Sequence, residues 1–276
     1  MACDDSAPQP RLYGHGLRLA YGEHVIAEDL DFAVLDRGVT AIIGPNGCGK
    51  STLLRALGRL LRPAAGQVVL DGAPINSRSP REVARTVAVL PQSPTAPAGL
   101  TVGDLVSRGR HPHQSWYRQW SATDQSAVTT ALELTGMQEH TQRPLDQLSG
   151  GQRQRAWISM ALAQDTDLLL LDEPTTFLDL AHQVDVLDLV RSLHAHHGRT
   201  VVMVLHDLNL AARYAHRLVA MRDGAVIAAG DPKEVLTPEL VATAFDLDAQ
   251  IITDPVAGTP LVVPASSAER TPVATA

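Results

Sequence analysis

The sequence predicts an α/β fold in which a mixed sheet with a parallel core is covered by helices and carries an antiparallel β lobe. Short apolar runs alternate with amphipathic helical patterns along the chain, which is typical of parallel strands joined by helices. Residues 67–70 end at the tight-turn pair Asp71 and Gly72, so these residues and residues 12–32 indicate antiparallel strands. Residues 92–151 have no strong strand pattern and predict a helical lobe inserted between two halves of the sheet domain.

The order of the core elements follows from the position of the apolar runs. Residues 39–43 predict a buried strand, and residues 51–61 predict the helix after it. Three further core strands are predicted at residues 87–90, 168–171 and 201–205. Each of these strands is short and uninterrupted in its apolar character, as expected for a strand buried on both faces.

The helical lobe and the chain ends complete the expected division. Residues 122–135 have helical spacing, and Gly136 stands where the helix would end. Asp4 and Asp5 occupy the place where a signal peptide needs basic residues, so a flexible leader is expected. The C-terminal stretch is rich in Pro, Ala, Ser and Thr, which predicts a flexible tail. The expected division is a leader at residues 1–10, one domain at 11–253 and a tail at 254–276, with the sheet lobe at about 11–91 and 152–235, the helical lobe at about 92–151 and a C-terminal part at 236–253.

The composition is that of an ordinary folded protein. Hydrophobic residues make up 45% and charged residues 19% of the chain, which excludes a disordered, collagenous or coiled-coil protein. The net charge of −7 has the wrong sign for neutralising many nucleic-acid phosphates, so no nucleic-acid partner is expected. Cys3 and Cys48 are too few for a disulfide scaffold and suit a reducing compartment. No sequence stretch approaches the roughly 18 consecutive apolar residues that a membrane span needs.

A glycine-rich loop between the first core strand and its helix predicts a phosphate site. In its pattern, G-x-x-x-x-G-K-S, the glycines let backbone N–H groups turn toward an anion, and the helix N-terminus adds partial positive charge. Lys50 would reach the outer phosphates, and Ser51 would offer its hydroxyl to Mg²⁺, with Thr52 beside it. The alternative, a glycine-rich turn that binds nothing, is disfavoured by the strand–loop–helix context. The loop consists of Gly44, Pro45, Asn46, Gly47, Cys48, Gly49, Lys50 and Ser51.

Two adjacent carboxylates after the strand at residues 168–171 predict metal and acid–base chemistry. Asp172 is assigned to the metal, because a carboxylate there can hold the water shell of Mg²⁺. Glu173 is assigned as the base that orients and deprotonates an attacking water. The alternative, two charges at a solvent-facing edge, is about equally good for the pair alone and becomes weaker once a phosphate loop precedes it.

Residues 148–152, Leu-Ser-Gly-Gly-Gln, carry the most discriminating pattern. Ser149, Gly150 and Gly151 present backbone donors at a helix start, as an anion site requires, and Gln152 follows them. In isolation the pattern has a reasonable alternative explanation, in which Ser149 is only the N-cap of a helix after a loop. Together with the phosphate loop and the carboxylates, in this order, it resembles the signature motif of the ATP-binding cassette (ABC) ATPases, and the resemblance covers about residues 12–252.

This resemblance implies the ABC ATPase fold, a RecA-like P-loop NTPase core with the inserted helical lobe, and ATP and Mg²⁺ as cofactors. Tyr21 resembles the aromatic residue that stacks on adenine, and Gln92 the glutamine that contacts Mg²⁺ and links the lobes. Asp179 resembles the aspartate that crosses the dimer interface, and His206 the histidine near the γ-phosphate. The signature motif would meet a nucleotide held by a second subunit, so a head-to-tail homodimer is expected. The expected catalytic residues are Lys50, Glu173 and His206, and the expected metal ligands are Ser51, Gln92 and Asp172.

Further stretches resemble the ATPase subunits of bacterial importers for ferric siderophores; they are residues 106–113, 152–159, 172–180 and 205–209. This implies an ATPase at the cytoplasmic face of the cell membrane, with an integral membrane permease and a periplasmic or lipoprotein substrate-binding protein as partners. Cobalamin and haem importers use similar ATPases, and a soluble ABC ATPase of cofactor assembly stays open. A nucleotide-binding regulator without turnover is disfavoured by Glu173 and His206.

The segment after Gln92 and a basic, aromatic stretch behind it predict the surface that docks on the permease. Basic and aromatic side chains suit a protein interface, whereas the alternative is a solvated loop. The stretch comprises Arg108, Arg110, His111, His113, Trp116 and Tyr117.

Overall fold

The computed structural model describes residues 10–114, 120–176 and 178–265. The predicted docking residues Trp116 and Tyr117 lie outside these ranges. The strands are β1 (Leu12–Tyr21), β2 (His24–Ala33), β3 (Val39–Ile43), β4 (Ala65–Leu70), β5 (Ala73–Pro74), β6 (Val87–Leu90), β7 (Leu168–Asp172), β8 (Thr200–Val204), β9 (Arg217–Arg222), β10 (Ala225–Gly230), β11 (Ala249–Thr253) and β12 (Pro260–Pro264). The helices are α1 (Lys50–Leu57), α2 (Pro80–Ala84), α3 (Val102–Arg108), α4 (Ala122–Thr135), α5 (Gly150–Ala163), α6 (Leu180–His197), α7 (Leu208–Tyr214), α8 (Pro232–Val235) and α9 (Pro238–Phe245).

Two larger sheets carry the fold. In the six-stranded sheet the order is β10-β9-β3-β8-β7-β6, and all neighbours are parallel except β10 and β9. The four-stranded sheet has the order β2-β1-β4-β5, with antiparallel pairing throughout. The predicted α/β class, a parallel core with an antiparallel lobe, is therefore confirmed.

The parallel strands are buried on both faces, which explains their uninterrupted apolar sequences. β3, β7 and β8 are buried at every position. Alternate side chains enter two separate cores, because successive residues of a strand point to opposite faces. Ile42 and Val202 join the core that includes β1 and α1, whereas Ala41 and Val201 join the core that includes α5 and α6. The sheet is thus fixed between two apolar layers.

The first helix is shorter than predicted, because α1 ends at Leu57 and not at residue 61. Beyond it, Arg59 adopts a left-handed conformation with φ of 60°. The N–H of Leu60 donates to the carbonyl oxygen of Arg55, which is the closing bond of a Schellman C-cap. The apolar spacing continues past this turn, so periodicity alone does not reveal it.

The helical lobe consists of α3, α4 and α5. α4 covers the predicted residues 122–135, and Gly136 ends it with φ of 65°. α5 packs against both α3 and α4. The lobe boundary predicted at residue 151 needs correction, because it falls inside α5, and the lobe extends to Ala163. Among the described helices, none combines the length and the apolar character that crossing a membrane requires.

A buried ion pair joins the three helices of this lobe. Arg110 follows α3 and Asp124 lies in the first turn of α4; Arg110 Nε is 2.8 Å from Asp124 Oδ1, and the two side chains are only 4% and 7% exposed. Arg110 Nη1 also donates to the carbonyl oxygen of Ala163, at the end of α5, at 2.8 Å. The prediction that Arg110 belongs to the docking surface is therefore wrong, because the helical lobe encloses its guanidinium group.

The expectation of a flexible tail is wrong for residues 254–265. β11 and β12 pair as an antiparallel hairpin, and Val262 is buried. The side chain of Asn209, on α7, bonds the backbone of Val262 twice: Oδ1 accepts from the N–H at 2.7 Å and Nδ2 donates to the carbonyl oxygen at 3.3 Å. The biased composition of the segment hides a strand of only five residues.

The ion pair between Arg110 and Asp124 generates a stability prediction. Replacing Arg110 by Met leaves the Asp124 carboxylate buried without its cation, so we expect the free energy of unfolding to fall by about 3–5 kcal/mol. The matched control is Arg18→Met, which breaks the pair between Arg18 and Glu28, whose side chains are 46% and 72% exposed, and which should cost less than about 1 kcal/mol. Urea unfolding measures both, and equal losses would contradict the prediction.

Candidate nucleotide-binding site

The glycine-rich loop runs from the end of β3 to the start of α1, and β3 lies between β8 and β9 in the sheet. Gly44 has φ of 149°, and a Cβ added there would lie 2.1 Å from the carbonyl oxygen of Met221. Gly49, the N-cap of α1, has φ of 101°. Side chains are excluded at the first position by space and disfavoured at the second by conformation. The path of the loop into α1 therefore depends on glycine.

Lys50 places a cation inside this loop. Its side chain is buried, and Nζ donates to the carbonyl oxygens of Gly44 and Pro45 at 2.8 Å each. The first residues of α1 leave backbone N–H groups without helical partners, and these groups together with the helix dipole favour an anion. The loop, Lys50 and the helix N-terminus thus form an anion site of the kind that holds phosphate.

Ser51 connects the loop with the end of β7. Its Oγ donates to Asp172 Oδ1 at 2.7 Å. Asp172 is 1% exposed, and its Oδ2 is buried without a hydrogen-bond partner in the described part of the chain. Burial raises the pKa of the Asp172 carboxyl. A buried carboxylate oxygen without a donor is a place where a cation can bind.

Glu173 is the most highly connected carboxylate of the site. It follows β7 with φ of 52° and is 8% exposed. Its Oε1 lies 2.7 Å from His206 Nε2, and its Oε2 accepts hydrogen bonds from Gln92 Nε2 at 2.6 Å and from Thr176 Oγ1 at 2.9 Å. Residues that follow β6, β7 and β8 therefore meet at one carboxylate.

A cleft of about 510 Å³ brings nine of the nineteen predicted site residues together. It contains the loop, the start of α1 and the side chains that follow three strands of the sheet. Ile26 of β2 contributes an apolar wall that the sequence did not single out, and nothing in its alternating strand pattern marks it. The lining residues are Ile26, Asn46, Gly47, Gly49, Lys50, Ser51, Thr52, Gln92, Glu173 and His206.

The signature motif and Asp179 lie elsewhere: the motif is at the start of α5 and Asp179 is at the start of α6. Ser149 is the N-cap of α5: its Oγ accepts from the N–H of Gln152, and Gln152 Oε1 accepts from the N–H of Ser149. Asp179 caps α6, and the hydrogen bonds from His182 lower the pKa of its carboxyl. A Cβ on Gly151 would lie 2.4 Å from His182 Cδ2, so the two helix starts adjoin. Gly150 begins α5, and none of the predicted residues of this group, all of which the structure describes, lines the cleft.

Tyr21 and Cys48 occupy different surroundings. Tyr21 ends β1 and is 45% exposed, and its hydroxyl accepts a hydrogen bond from Arg55 Nη1 at 3.2 Å. Its ring thus lies open on the surface near α1 and does not line the cleft. Cys48 is buried within the loop, and burial raises the pKa of its thiol. The Cys48 side chain therefore packs as a small apolar group.

The fold and the cleft define the class of protein. A phosphate loop joins the central parallel strand β3 to a helix, and a buried aspartate and a glutamate stand at the end of β7, which β8 separates from β3. This is the arrangement of a P-loop ATPase. The inserted helical lobe, whose α5 begins at the Leu-Ser-Gly-Gly-Gln motif, makes it an ATPase of the ATP-binding cassette class.

The chain belongs to the ABC transporter family, whose sequence profile matches residues 27–176. It is 53% identical to the ferric enterobactin transport ATP-binding protein of Escherichia coli over 92% of this chain and 94% of the relative. It is 52% identical to the iron(3+)-hydroxamate import ATP-binding protein of Bacillus subtilis over 87% and 89%. A cobalamin import ATP-binding protein of Halobacterium salinarum is 42% identical over 87% of this chain and 60% of the relative.

Solved structures show the same fold. A chain of an ABC transporter solved in an inward-facing conformation superimposes with a TM-score of 0.81 at 28% identity, over 95% of this chain and 99% of the other. A bacterial ABC transporter cassette solved as a dimer superimposes with a TM-score of 0.71 at 26% identity, over 80% of this chain and 98% of the other. The ABC ATPase fold predicted from the motifs is confirmed.

The exposed ring of Tyr21 generates a binding prediction. If it stacks on adenine, Tyr21→Ala should weaken ATP binding roughly five- to a hundredfold, the range for loss of one base–aromatic contact. Tyr21→Phe keeps the ring and loses only the hydroxyl that accepts from Arg55, so it should bind ATP within about twofold of the parent. Calorimetric titration measures both dissociation constants. Equal weakening in both variants would mean that the hydroxyl matters and the ring does not.

Proposed function

We propose that the chain is the ATP-hydrolysing subunit that energises import of a ferric siderophore across the cytoplasmic membrane. It acts at the cytoplasmic face, with an integral membrane permease and, through it, a periplasmic or lipoprotein substrate-binding protein. The observation that carries the proposal is the identity of 52–53% to relatives named for ferric enterobactin and iron(3+)-hydroxamate transport. The cobalamin relative is less similar, at 42%.

In the proposed reaction the phosphate loop holds the triphosphate of ATP. The backbone N–H groups of the loop and the N-terminus of α1 bind phosphate oxygens. Lys50 exchanges the carbonyl oxygens of Gly44 and Pro45, which it contacts in the structure, for the outer phosphates. The anionic phosphate replaces two neutral carbonyl oxygens, so the Lys50 ammonium gains a partner of opposite charge.

Glu173 is proposed as the general base. It takes a proton from water, the water oxygen attacks the γ-phosphorus, the bond from that phosphorus to the bridging oxygen breaks, and ADP and phosphate leave. The low exposure of Glu173 keeps bulk water from the carboxylate. His206 turns from Glu173 to the γ-phosphate, where it stabilises the charge of the transferring group.

The end of β7 fits Mg²⁺. The Asp172 Oδ2 atom has no hydrogen-bond partner within the described residues, and the raised pKa of its carboxyl means that a nearby cation would stabilise the ionised form. Ser51, Gln92 and Asp172 are the residues proposed to hold it. Bound there, Mg²⁺ would neutralise charge on the phosphates.

A head-to-tail homodimer is proposed to complete the site. The cleft and the helix starts of α5 and α6 are separate groups in one chain. A second copy would bring Ser149, Gly150, Gly151 and Gln152 to the nucleotide held by the first, and Asp179 to the interface. The dimeric structure of a cassette with the same fold supports this arrangement.

The dimer generates a prediction for Glu173→Gln. Without the base, ATP hydrolysis should fall by about 10²–10⁴, so the ATP-bound dimer should accumulate with Mg²⁺ and ATP. Size-exclusion chromatography with light scattering measures the mass, and phosphate release measures the rate. Glu239→Gln, a charge-matched change in the exposed first turn of α9, is the control and should hydrolyse at the parental rate. A Glu173→Gln variant that stays monomeric with ATP and hydrolyses at the parental rate would overturn the assignment.

The proposed docking surface is narrower than the sequence suggested. Arg108 and His111 are exposed, and with the segment after Gln92 they remain candidates to contact the permease. His113 is half-buried, with Nε2 2.8 Å from the carbonyl oxygen of Gln164, so it helps to fix the loop to the end of α5. Arg110, paired with Asp124, holds the same loop to the neighbouring carbonyl oxygen of Ala163.

The runner-up functions are a cobalamin or haem importer ATPase and a soluble ABC ATPase of cofactor assembly. The first is favoured by the cobalamin relative, since cargo is recognised by a separate permease and binding protein and similar cassettes serve different cargoes. Uptake measurements separate these functions.

Deleting the gene in its own organism should reduce uptake of ⁵⁵Fe-loaded siderophore at least about tenfold, because transport needs the turnover that a positioned base supplies. The parental gene should restore uptake, and the Glu173→Gln gene should not. Loss of cobalamin or haem uptake with siderophore uptake intact would favour the runner-up.

The docking surface is tested by the double variant Arg108→Ala with His111→Ala, which should reduce uptake and leave the ATPase rate of the purified protein unchanged. The control is Arg18→Ala with His197→Ala, at two exposed positions elsewhere, and it should not reduce uptake.

A further inference from the structure

The hydroxyl of Thr176 contacts the proposed base from within the same turn. Thr176 Oγ1 donates to Glu173 Oε2 at 2.9 Å, and the N–H of Thr176 donates to the carbonyl oxygen of Glu173 at 3.2 Å. Pro174 occupies the second position of this four-residue turn, where its fixed φ is favourable. The two hydrogen bonds therefore tie both the backbone and the carboxylate of Glu173 to one residue.

Glu173 needs such a tie because neither its backbone nor its side chain is fixed by regular structure. It lies immediately after β7, with φ of 52°, a conformation that few residues other than glycine adopt. A glutamate side chain has several rotatable bonds, and ordering it costs considerable entropy. A local donor three residues along the chain supplies the constraint at short range.

The other two partners of the carboxylate come from distant parts of the chain. Gln92 follows β6 and His206 follows β8, and the former donates to Oε2 and the latter lies against Oε1. In the proposed reaction Gln92 binds Mg²⁺ and His206 contacts the γ-phosphate, so both side chains move away from Glu173. Of the three partners, Thr176 alone has no such task, so its contact is the one that can persist through the reaction.

We propose that Thr176 is a positioning residue for hydrolysis: it holds Oε2 of Glu173, so that Oε1 is the oxygen that accepts the proton of the attacking water. The inference rests on the proposed role of Glu173 as the base. It assigns different tasks to two oxygens that are chemically equivalent in a free carboxylate. The departure of His206 then uncovers the oxygen that acts.

The test uses the full chain and steady-state hydrolysis of Mg-ATP. Thr176→Val keeps the shape and removes the donor; kcat should fall about ten- to a hundredfold, the effect of losing one hydrogen bond to a charged group. KM and the dissociation constant for ATP should stay within about threefold of the parent. Thr176→Ser restores the donor and should recover kcat to within about threefold. The matched control Thr175→Val, at the neighbouring threonine, should hydrolyse at the parental rate.

A second arm asks whether Thr176 acts through Glu173. In single-turnover reactions, Thr176→Val should lower the hydrolysis rate when it is introduced into the parental chain. Introduced into the Glu173→Gln variant, it should cause no further loss of rate, since the effects of residues that act as a unit are not additive. If Thr176→Val is not folded by circular dichroism and ATP binding, Thr176→Ala takes its place, with the same expectation and the same rescue by Ser.

The outcomes separate this inference from the function on which it rests. A Thr176→Val variant with parental kcat, or a Thr176→Ser variant as slow as the valine variant, would overturn the positioning role. A parental chain that does not hydrolyse ATP, or a Glu173→Gln variant with parental kcat, would overturn the proposed function or its base instead.

Discussion

The parallel register of the central strands is the constraint on which the site depends. Ile42 of β3 pairs with Val204 of β8, and Val204 pairs with Asp172 of β7. Leu171, one residue earlier, pairs with Leu90 of β6. The residues that follow each strand therefore start from one edge of the sheet, and the phosphate loop, Glu173, Gln92 and His206 come from these four ends. A register shift of one residue would turn each of these side chains to the opposite face.

The helical lobe contributes a separate chemical group, held by its own internal contacts. The start of α5 is fixed by the capping box of Ser149 and Gln152, and its end accepts a hydrogen bond from Arg110, which is paired with Asp124 of α4. The capping box thus orders the first turn of α5, and Arg110 ties the C-terminal end of the helix to α4. Serving as an N-cap leaves the Ser149 hydroxyl hydrogen available as a donor, because the Ser149 oxygen acts as the acceptor in the cap.

The sequence predicted the features that depend on short-range patterns. Buried parallel strands are uninterrupted apolar runs, and the phosphate loop is a fixed order of glycines, lysine and serine, so both were visible without a structure. The end of α1 was missed because the leucine spacing continues beyond the turn at Arg59. The burial of Arg110 and the position of Ile26 were missed because each depends on residues distant in sequence. Thr176 was missed for a different reason: a threonine near an acid carries no signal until the turn between them is known.

The hairpin of β11 and β12 supports the helix α7, which follows His206. Asn209 binds the backbone of Val262 in both directions, and α7, which carries Asn209, begins two residues after His206. The last described strand, β12, is therefore hydrogen-bonded to the helix that begins just after His206. A chain cut after residue 253 would keep every residue of the cleft and lose the hydrogen bonds between Asn209 and Val262. The part of the chain that supports the fold around the cleft therefore extends beyond the part that supplies the residues of the cleft.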